Sequence, residues 1–176
     1  DGSEQELSAQ HIIVATGARS RELPSLPQDG EKVIGYRKAM TLEKQPKKLI
    51  VVGSGAIGVE FAYFYNAMGT EVTLVEYMPR IVPVEDEEIS KQMERSFKKA
   101  GITVLTNAEV TAVDTSGKGV TATVKTKKGE EEIKADVVLS AVGIKTNIEN
   151  IGLEEVGIVT DRDKILVNDF YQTNIP

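Results

Sequence analysis

The order of apolar and polar positions divides the chain into segments. HIIVATGARS (residues 11–20) is an apolar run that ends at Gly17, which predicts a buried strand stopping at a turn. RELPSLPQDGEK (21–32) carries two prolines and a glycine and reads as a connecting loop. KKLIVVGSGAIGVEFAYFYNAMGTEVTLVEYMPRIV (47–82) then reads as strand, glycine turn, helix and strand. Leu49 to Val52 are apolar without alternation, as in a strand covered on both faces. In the helix Ile57, Phe61, Phe64 and Met68 recur at spacings of 4, 3 and 4, which predicts one apolar stripe closed by Gly69. Tyr63 and Tyr65 beside it are assigned to packing.

EDEEISKQMERSFKKAGITVLTNAEV (85–110) has acids at the front and lysines at the back, the polarity a helix dipole favours, then Gly101 and a short strand. The acids 85–88 are read as the wet N-terminus of that helix. From 111 to 135, short β-forming stretches around TSGKG and KKGE predict a small antiparallel meander. ADVVLSAVG (135–143) is a second buried strand ending at glycine, and the segment after it has no helical stripe. No internal repeat or low-complexity tract occurs. The fold class expected is α/β: a Rossmann-like parallel sheet with helices and a small antiparallel β-meander.

Composition narrows the function. A chain of 176 residues that is 40% apolar can bury a core. Lys+Arg 21 against Asp+Glu 27 gives a net charge of −6 with no basic block, which argues against nucleic acid as a partner. No apolar run approaches the roughly 18–20 residues of a membrane span, and DGSEQELSAQ is not a basic-then-apolar leader, so a cytoplasmic protein or a cut-out piece is expected. With no cysteine there is no disulfide and no thiol nucleophile; with His11 the only histidine, read as a strand-edge residue, no metal site is expected. No catalytic side chain is assigned, and chemistry must come from a cofactor or from residues outside this chain.

The chemistry-bearing segment is VVGSGAIGVE (51–60). Gly53, Gly55 and Gly58 follow an apolar strand and open a helix, and the next strand ends at Glu76, 23 residues after Gly53. In a dinucleotide fingerprint the first glycine permits the sharp turn, the second admits the pyrophosphate against the backbone, and the third lets helix and strand approach. The helix N-terminus then holds the phosphate charge. Glu76 at a strand end can accept from ribose hydroxyls and would repel a 2′-phosphate, so NAD is favoured over NADP. Arg80 could reach a phosphate, but is read as a solvated side chain or an adenine neighbour. Glu60, in the first turns of the helix, is either a dipole-stabilised acid or a group beside the nicotinamide.

Together HIIVATGARSRELP, LIVVGSGAIGVEFAYFYNAMGTEVTLVE and ADVVLSAVGIKTNIENIGLE resemble the middle third of a flavoprotein disulfide reductase, most of all those that oxidise a dihydrolipoyl dithiol. The resemblance spans nearly the whole chain. It implies an NAD-binding domain at 20–146 inserted into an FAD domain, of which 1–19 and 147–176 are pieces. It makes Gly53, Ser54, Gly55, Ala56, Ile57, Gly58, Val59 and Glu60 the pyrophosphate loop, Glu76 the adenosine-ribose acid, and Val110 and Gly143 further dinucleotide contacts. Thr16, Gly17 and Ala18 resemble the flavin-domain exit, where backbone approaches FAD. The implied function is to position nicotinamide for hydride transfer with FAD, in a homodimeric parent whose partner carries dihydrolipoyl groups in 2-oxoacid dehydrogenase complexes. FAD belongs to that parent and is not expected on this chain alone, which lacks the redox cysteines and the catalytic histidine and is expected to be inactive by itself. Many members carry an Arg and a Pro before the Asn that follows AVG, whereas here Ile144, Lys145 and Thr146 precede Asn147. Alternatives are a glutathione or mercuric reductase type of domain, a non-enzymatic NAD-sensing module, and a methyltransferase binding S-adenosylmethionine.

Overall fold

The computed structural model describes residues 2–176. They divide into two compact units: Ser20–Ile144, and the residues up to Arg19 together with Lys145–Pro176. β1 (Ala18–Ser20) pairs with Ile144–Thr146 in a two-stranded sheet. Residues 11–17 form no strand, and Ile12 and Ile13 are 84% and 88% exposed, contrary to the buried strand their apolarity suggests. An apolar run becomes a buried strand only where neighbouring strands and a packing layer cover it, and none of the described strands pairs with 11–17. His11 likewise stands in exposed chain rather than at a strand edge.

The larger unit is built on five parallel strands. In chain order these begin with β2 (Val33–Ile34), followed by the short helix α1 (Tyr36–Ala39), β3 (Lys48–Val52), the helix α2 (Ala56–Ala67) and β4 (Glu71–Val75). Helix α3 (Glu87–Lys99) leads to β5 (Thr103–Leu105). The antiparallel meander β6 (Glu109–Asp114), β7 (Val120–Thr126) and β8 (Gly129–Ala135) comes next, and β9 (Val137–Ser140) returns to the sheet. The spatial order is β2-β9-β3-β4-β5. Later in the chain come β10 (Ile144–Thr146) and a two-stranded hairpin of β11 (Thr160–Asp161) and β12 (Lys164–Ile165). β2 and α1 lie just after the segment that reads as loop, 21–32; at two and four residues they are too short to show a period.

Both faces of the sheet are covered, which is why β3 lacks alternation. Leu49 and Val51 of β3 pack with Val72, Leu74, Val137 and Leu139 against Val59, Ala62 and Tyr65 of α2 and Phe97 of α3. Ile50 and Val52 face the other way and pack with Val75 and Val138 against Val110, Val120, Ala122 and Val124 of the meander. The sheet is therefore sandwiched between helices and a β-layer.

Helix α2 differs from its sequence reading. Its buried residues are Gly58, Val59, Ala62 and Tyr65, whereas Phe64 and Met68 are 53% and 58% exposed and Ile57 and Phe61 are half-buried. The cause is the closeness of the helix to the turn before it. A Cβ on Gly58 would lie 1.9 Å from the carbonyl oxygen of Gly53, so the face carrying Gly58 is the one pressed inward. The next turn on that face must also be small, and it is Ala62. The larger apolar side chains are displaced to the flank and the outside. Tyr65 is buried and donates to the carbonyl of Ala39 at 2.6 Å, while Tyr63 is 62% exposed and does not pack. Helix α3 follows expectation: Asp86 caps it by accepting from the Glu88 N–H at 2.8 Å, Glu87 and Glu88 occupy its first turn, and Lys98 and Lys99 its last.

Candidate functional site

Parallel strands present their carboxyl ends together, and the crevice lies where the strand order reverses. Here that point is between β3, which continues outward to β4, and β9 on its other side. Gly53 leaves β3 with φ of +96° and donates its N–H to the Val75 carbonyl at 2.9 Å. A Cβ on it would sit 2.5 Å from the Ala141 carbonyl oxygen. Glycine is thus demanded at position 53 twice, by conformation and by space. Gly58 is demanded by the contact already described.

Gly55 is different. It is the N-cap of α2 with φ of −67°, a value any residue adopts, and a Cβ built on it meets no atom within 4 Å. Nothing in the protein's own packing calls for glycine there. Helix geometry leaves the N–H groups of Gly55, Ala56, Ile57 and Gly58 without intrahelical partners, and an N-cap glycine has no side chain to offer them. The donors of Gly55, Ala56 and Ile57 and the positive end of the α2 dipole open onto a cleft of about 590 Å³.

The floor of the cleft is a buried carboxylate. Glu76, one residue past β4, is 6% exposed. Its Oε2 accepts from the Ser54 N–H at 2.8 Å and from Ser54 Oγ at 2.6 Å, and its Oε1 accepts from the Met78 N–H at 2.7 Å. The acid therefore ties the second strand to the glycine turn. Arg80 donates from Nη2 to the carbonyls of Pro83 at 3.0 Å and Glu85 at 3.5 Å.

Gly53, Ser54, Gly55, Ala56, Ile57, Glu76, Val110 and Gly143 all line this one cleft. Val59 is buried in the core beneath it, Gly58 lies at the helix–turn contact, and Glu60 is exposed on α2 away from the lining. The sequence reading missed Leu26, Tyr77, Met78 and Ala108, which are among the other residues of the walls. Tyr77 and Met78 were within reach of it, because whatever follows the acid at a strand end must border the same crevice. Leu26 was not, since nothing within its proline-rich loop indicates where that loop folds back.

Thr16, Gly17 and Ala18 belong to the other unit. There the carbonyls of Thr16 and Gly17 accept from Asn147, from Nδ2 at 3.1 Å and the backbone N–H at 2.9 Å. Lys145, where the sequence departs from the family's pattern, has a partner in Glu149 at 2.7 Å, and Arg19 meets the same carboxylate at 2.7 Å. Hydrogen bonds from Arg19 and then Lys145 hold the Glu149 carboxyl well below the usual range. Among the described residues no group of His, Cys, Asp and Glu is placed to hold a metal, and no helix is long and apolar enough to cross a membrane.

Comparison with known proteins places these features in a family. A family profile described as pyridine nucleotide-disulphide oxidoreductase matches residues 1–176. The chain is 47% identical to a dihydrolipoyl dehydrogenase of Rhizobium etli over 96% of its own length and 35% of that protein's. It is 43% identical to the dihydrolipoyl dehydrogenase of Zymomonas mobilis over 99% of its length and 38% of that protein's. It thus spans somewhat more than a third of the curated relatives it matches. Among solved structures it is similar to LpdA from Mycobacterium tuberculosis, with a TM-score of 0.77 and 36% identity over 88% of this chain and 33% of that one. The flavoprotein disulfide reductase RclA from Escherichia coli, at 23% identity and a TM-score of 0.77, shares the fold. With its whole length matched, and with the glycine turn, the buried acid and the parallel sheet in place, the chain belongs to the pyridine nucleotide-disulphide oxidoreductase family.

Proposed function

We propose that residues 20–146, of which Ser20–Ile144 form one compact unit, are the NAD(H)-binding domain of a dihydrolipoyl dehydrogenase. The observation that carries this reading is Gly55: a glycine with an ordinary backbone angle and empty space where its side chain would be, set at the mouth of a helix with open donors. A glycine that the fold does not require is accounted for by a group that occupies the space from outside. The pyrophosphate of a dinucleotide fits it in charge and in the backbone approach it needs.

In this reading the N–H groups of Gly55, Ala56 and Ile57 hold the pyrophosphate, Glu76 accepts from the adenosine ribose, and Val110 and Gly143 border the rest of the dinucleotide. Ile57 lines the cleft beside these donors, and Glu60, exposed on the same helix, is the acid that the family resemblance sets near the nicotinamide. When bound, the nicotinamide supplies the hydride chemistry; the protein contributes orientation and a fixed electrostatic surround. In the parent the hydride passes between nicotinamide and FAD, coupled to the oxidation of dihydrolipoyl groups carried by a partner of 2-oxoacid dehydrogenase complexes. The residues up to 19 and from 147 are then pieces of the interrupted FAD domain, with Thr16, Gly17 and Ala18 as the backbone that approaches the flavin.

Calorimetric titration of this chain with NADH, NADPH and S-adenosylmethionine tests the reading. NADH is expected to bind and the other two to bind at least tenfold more weakly. Glu76→Ala should cost about 1.5–3 kcal/mol of NADH binding, the range for a hydrogen bond to a charged group. Binding of S-adenosylmethionine in preference to NADH would contradict it.

A further inference from the structure

All three polar groups of Ser54 are engaged, and Ser54 is fully buried. Its N–H and Oγ both donate to Oε2 of Glu76, at 2.8 and 2.6 Å, and its carbonyl accepts from the Val82 N–H at 3.0 Å. Val82 makes that bond from a φ of +40°, a left-handed conformation that is strained for a β-branched residue. Ser54 is thus clamped from both sides, and it in turn clamps the carboxylate.

A carboxylate has about four acceptor positions, two on each oxygen. Ser54 fills both on Oε2, and the Met78 N–H fills one on Oε1. One remains. With each oxygen tethered to a different donor, the carboxylate cannot rotate to offer Oε2 or turn aside from a charge brought against Oε1.

We propose that Ser54 is a positioning residue that sets the dinucleotide preference of the cleft: its hydroxyl and N–H saturate Oε2 of Glu76, leaving a fixed single acceptor that takes one ribose hydroxyl and cannot withdraw from a 2′-phosphate. This rests on the dinucleotide reading of the cleft. It adds that selectivity depends on a buried side chain whose hydroxyl is spent on Glu76. Without the hydroxyl, Glu76 is held by two backbone bonds, gains a vacant acceptor and regains freedom to turn. The affinity for NADH then falls and the penalty on NADPH relaxes.

The test is a cycle of Ser54→Ala, Glu76→Gln and the double variant in this chain, with Kd measured for NADH and for NADPH and folding monitored by circular dichroism. The expected result is a ratio of NADPH to NADH Kd that shrinks about five- to tenfold in Ser54→Ala, collapses in Glu76→Gln, and shrinks no further when Ser54→Ala is added to Glu76→Gln. Should Ser54→Ala fail to fold, Ser54→Cys, nearly isosteric with a much weaker donor, carries the same comparison. Loss of affinity for both ligands by the same factor would overturn the inference, as would an equal effect of Ser54→Ala on the ratio in the Glu76→Gln background. In either case, a wild-type chain that still prefers NADH leaves the dinucleotide reading standing. A folded wild-type chain that binds neither ligand would overturn both.

Discussion

At the scale of single residues, the three glycines of one motif are held for different reasons. Gly53 and Gly58 are fixed by the protein's own backbone, Gly55 by nothing in the protein. The spacing of glycines in the sequence identified the motif but could not separate these roles, because the separation depends on where Ala141 and the Gly53 carbonyl come to lie. Glu76 was legible as a strand-end acid, but its attachment to Ser54 was not. Tyr65 shows the same limit: it was assigned to packing together with Tyr63, yet only Tyr65 is buried, with its hydroxyl donating to Ala39. Burial pushes the Tyr65 hydroxyl above its ordinary value of 10.0. A raised value means the fold favours the neutral phenol, so this stabilisation is intact below pH 10 and is lost as pH rises through the higher folded value. Tyr65→Phe should lower stability by about 1 kcal/mol at neutral pH by leaving the Ala39 carbonyl unsatisfied. Urea melts at pH 8 and above pH 10 should show the variant losing less on alkalinisation than the wild type.

At the scale of elements, strands buried on both faces and helix α3 were readable because their signals are local. Unbroken apolarity in β3 and β9 matches a sheet sandwiched between helices and meander, and α3 carries its own cap and charge polarity. Asp86→Ala removes a cap that holds the Glu88 N–H and should cost about 1 kcal/mol in a denaturant melt with unchanged slope. A cost near zero would mean that water replaces the cap. The stripe of α2 was misread because its apolar content exceeds what one face can bury. Among Ile57, Phe61, Phe64 and Met68 the spacing is helical, but close approach to the Gly53 turn selects the face carrying Gly58 and Ala62 instead. A period identifies a helix; which of two apolar faces turns inward is decided by the neighbour it must fit.

At the scale of the whole molecule, the sequence supports the α/β class, the order of its parts and the family, and the sheet order β2-β9-β3-β4-β5 puts the glycine turn at the point of strand reversal. The exception is residues 11–17, whose apolar run the described residues leave uncovered. The central claim is that the cleft above Gly55 is shaped for a dinucleotide, and one paired measurement tests it most directly: thermal stability and NADH affinity of Gly55→Ala, with Gly58→Ala as the structural control. Gly58→Ala drives a Cβ into the Gly53 carbonyl and should destabilise the fold by about 3 kcal/mol or more. Gly55→Ala meets no protein atom and should melt within about 1 kcal/mol of the wild type, the cost of a poorer N-cap, while NADH affinity falls at least tenfold. A Gly55→Ala chain that folds normally and binds NADH as tightly as the wild type would contradict the account, because the space above residue 55 would then not be where the pyrophosphate sits.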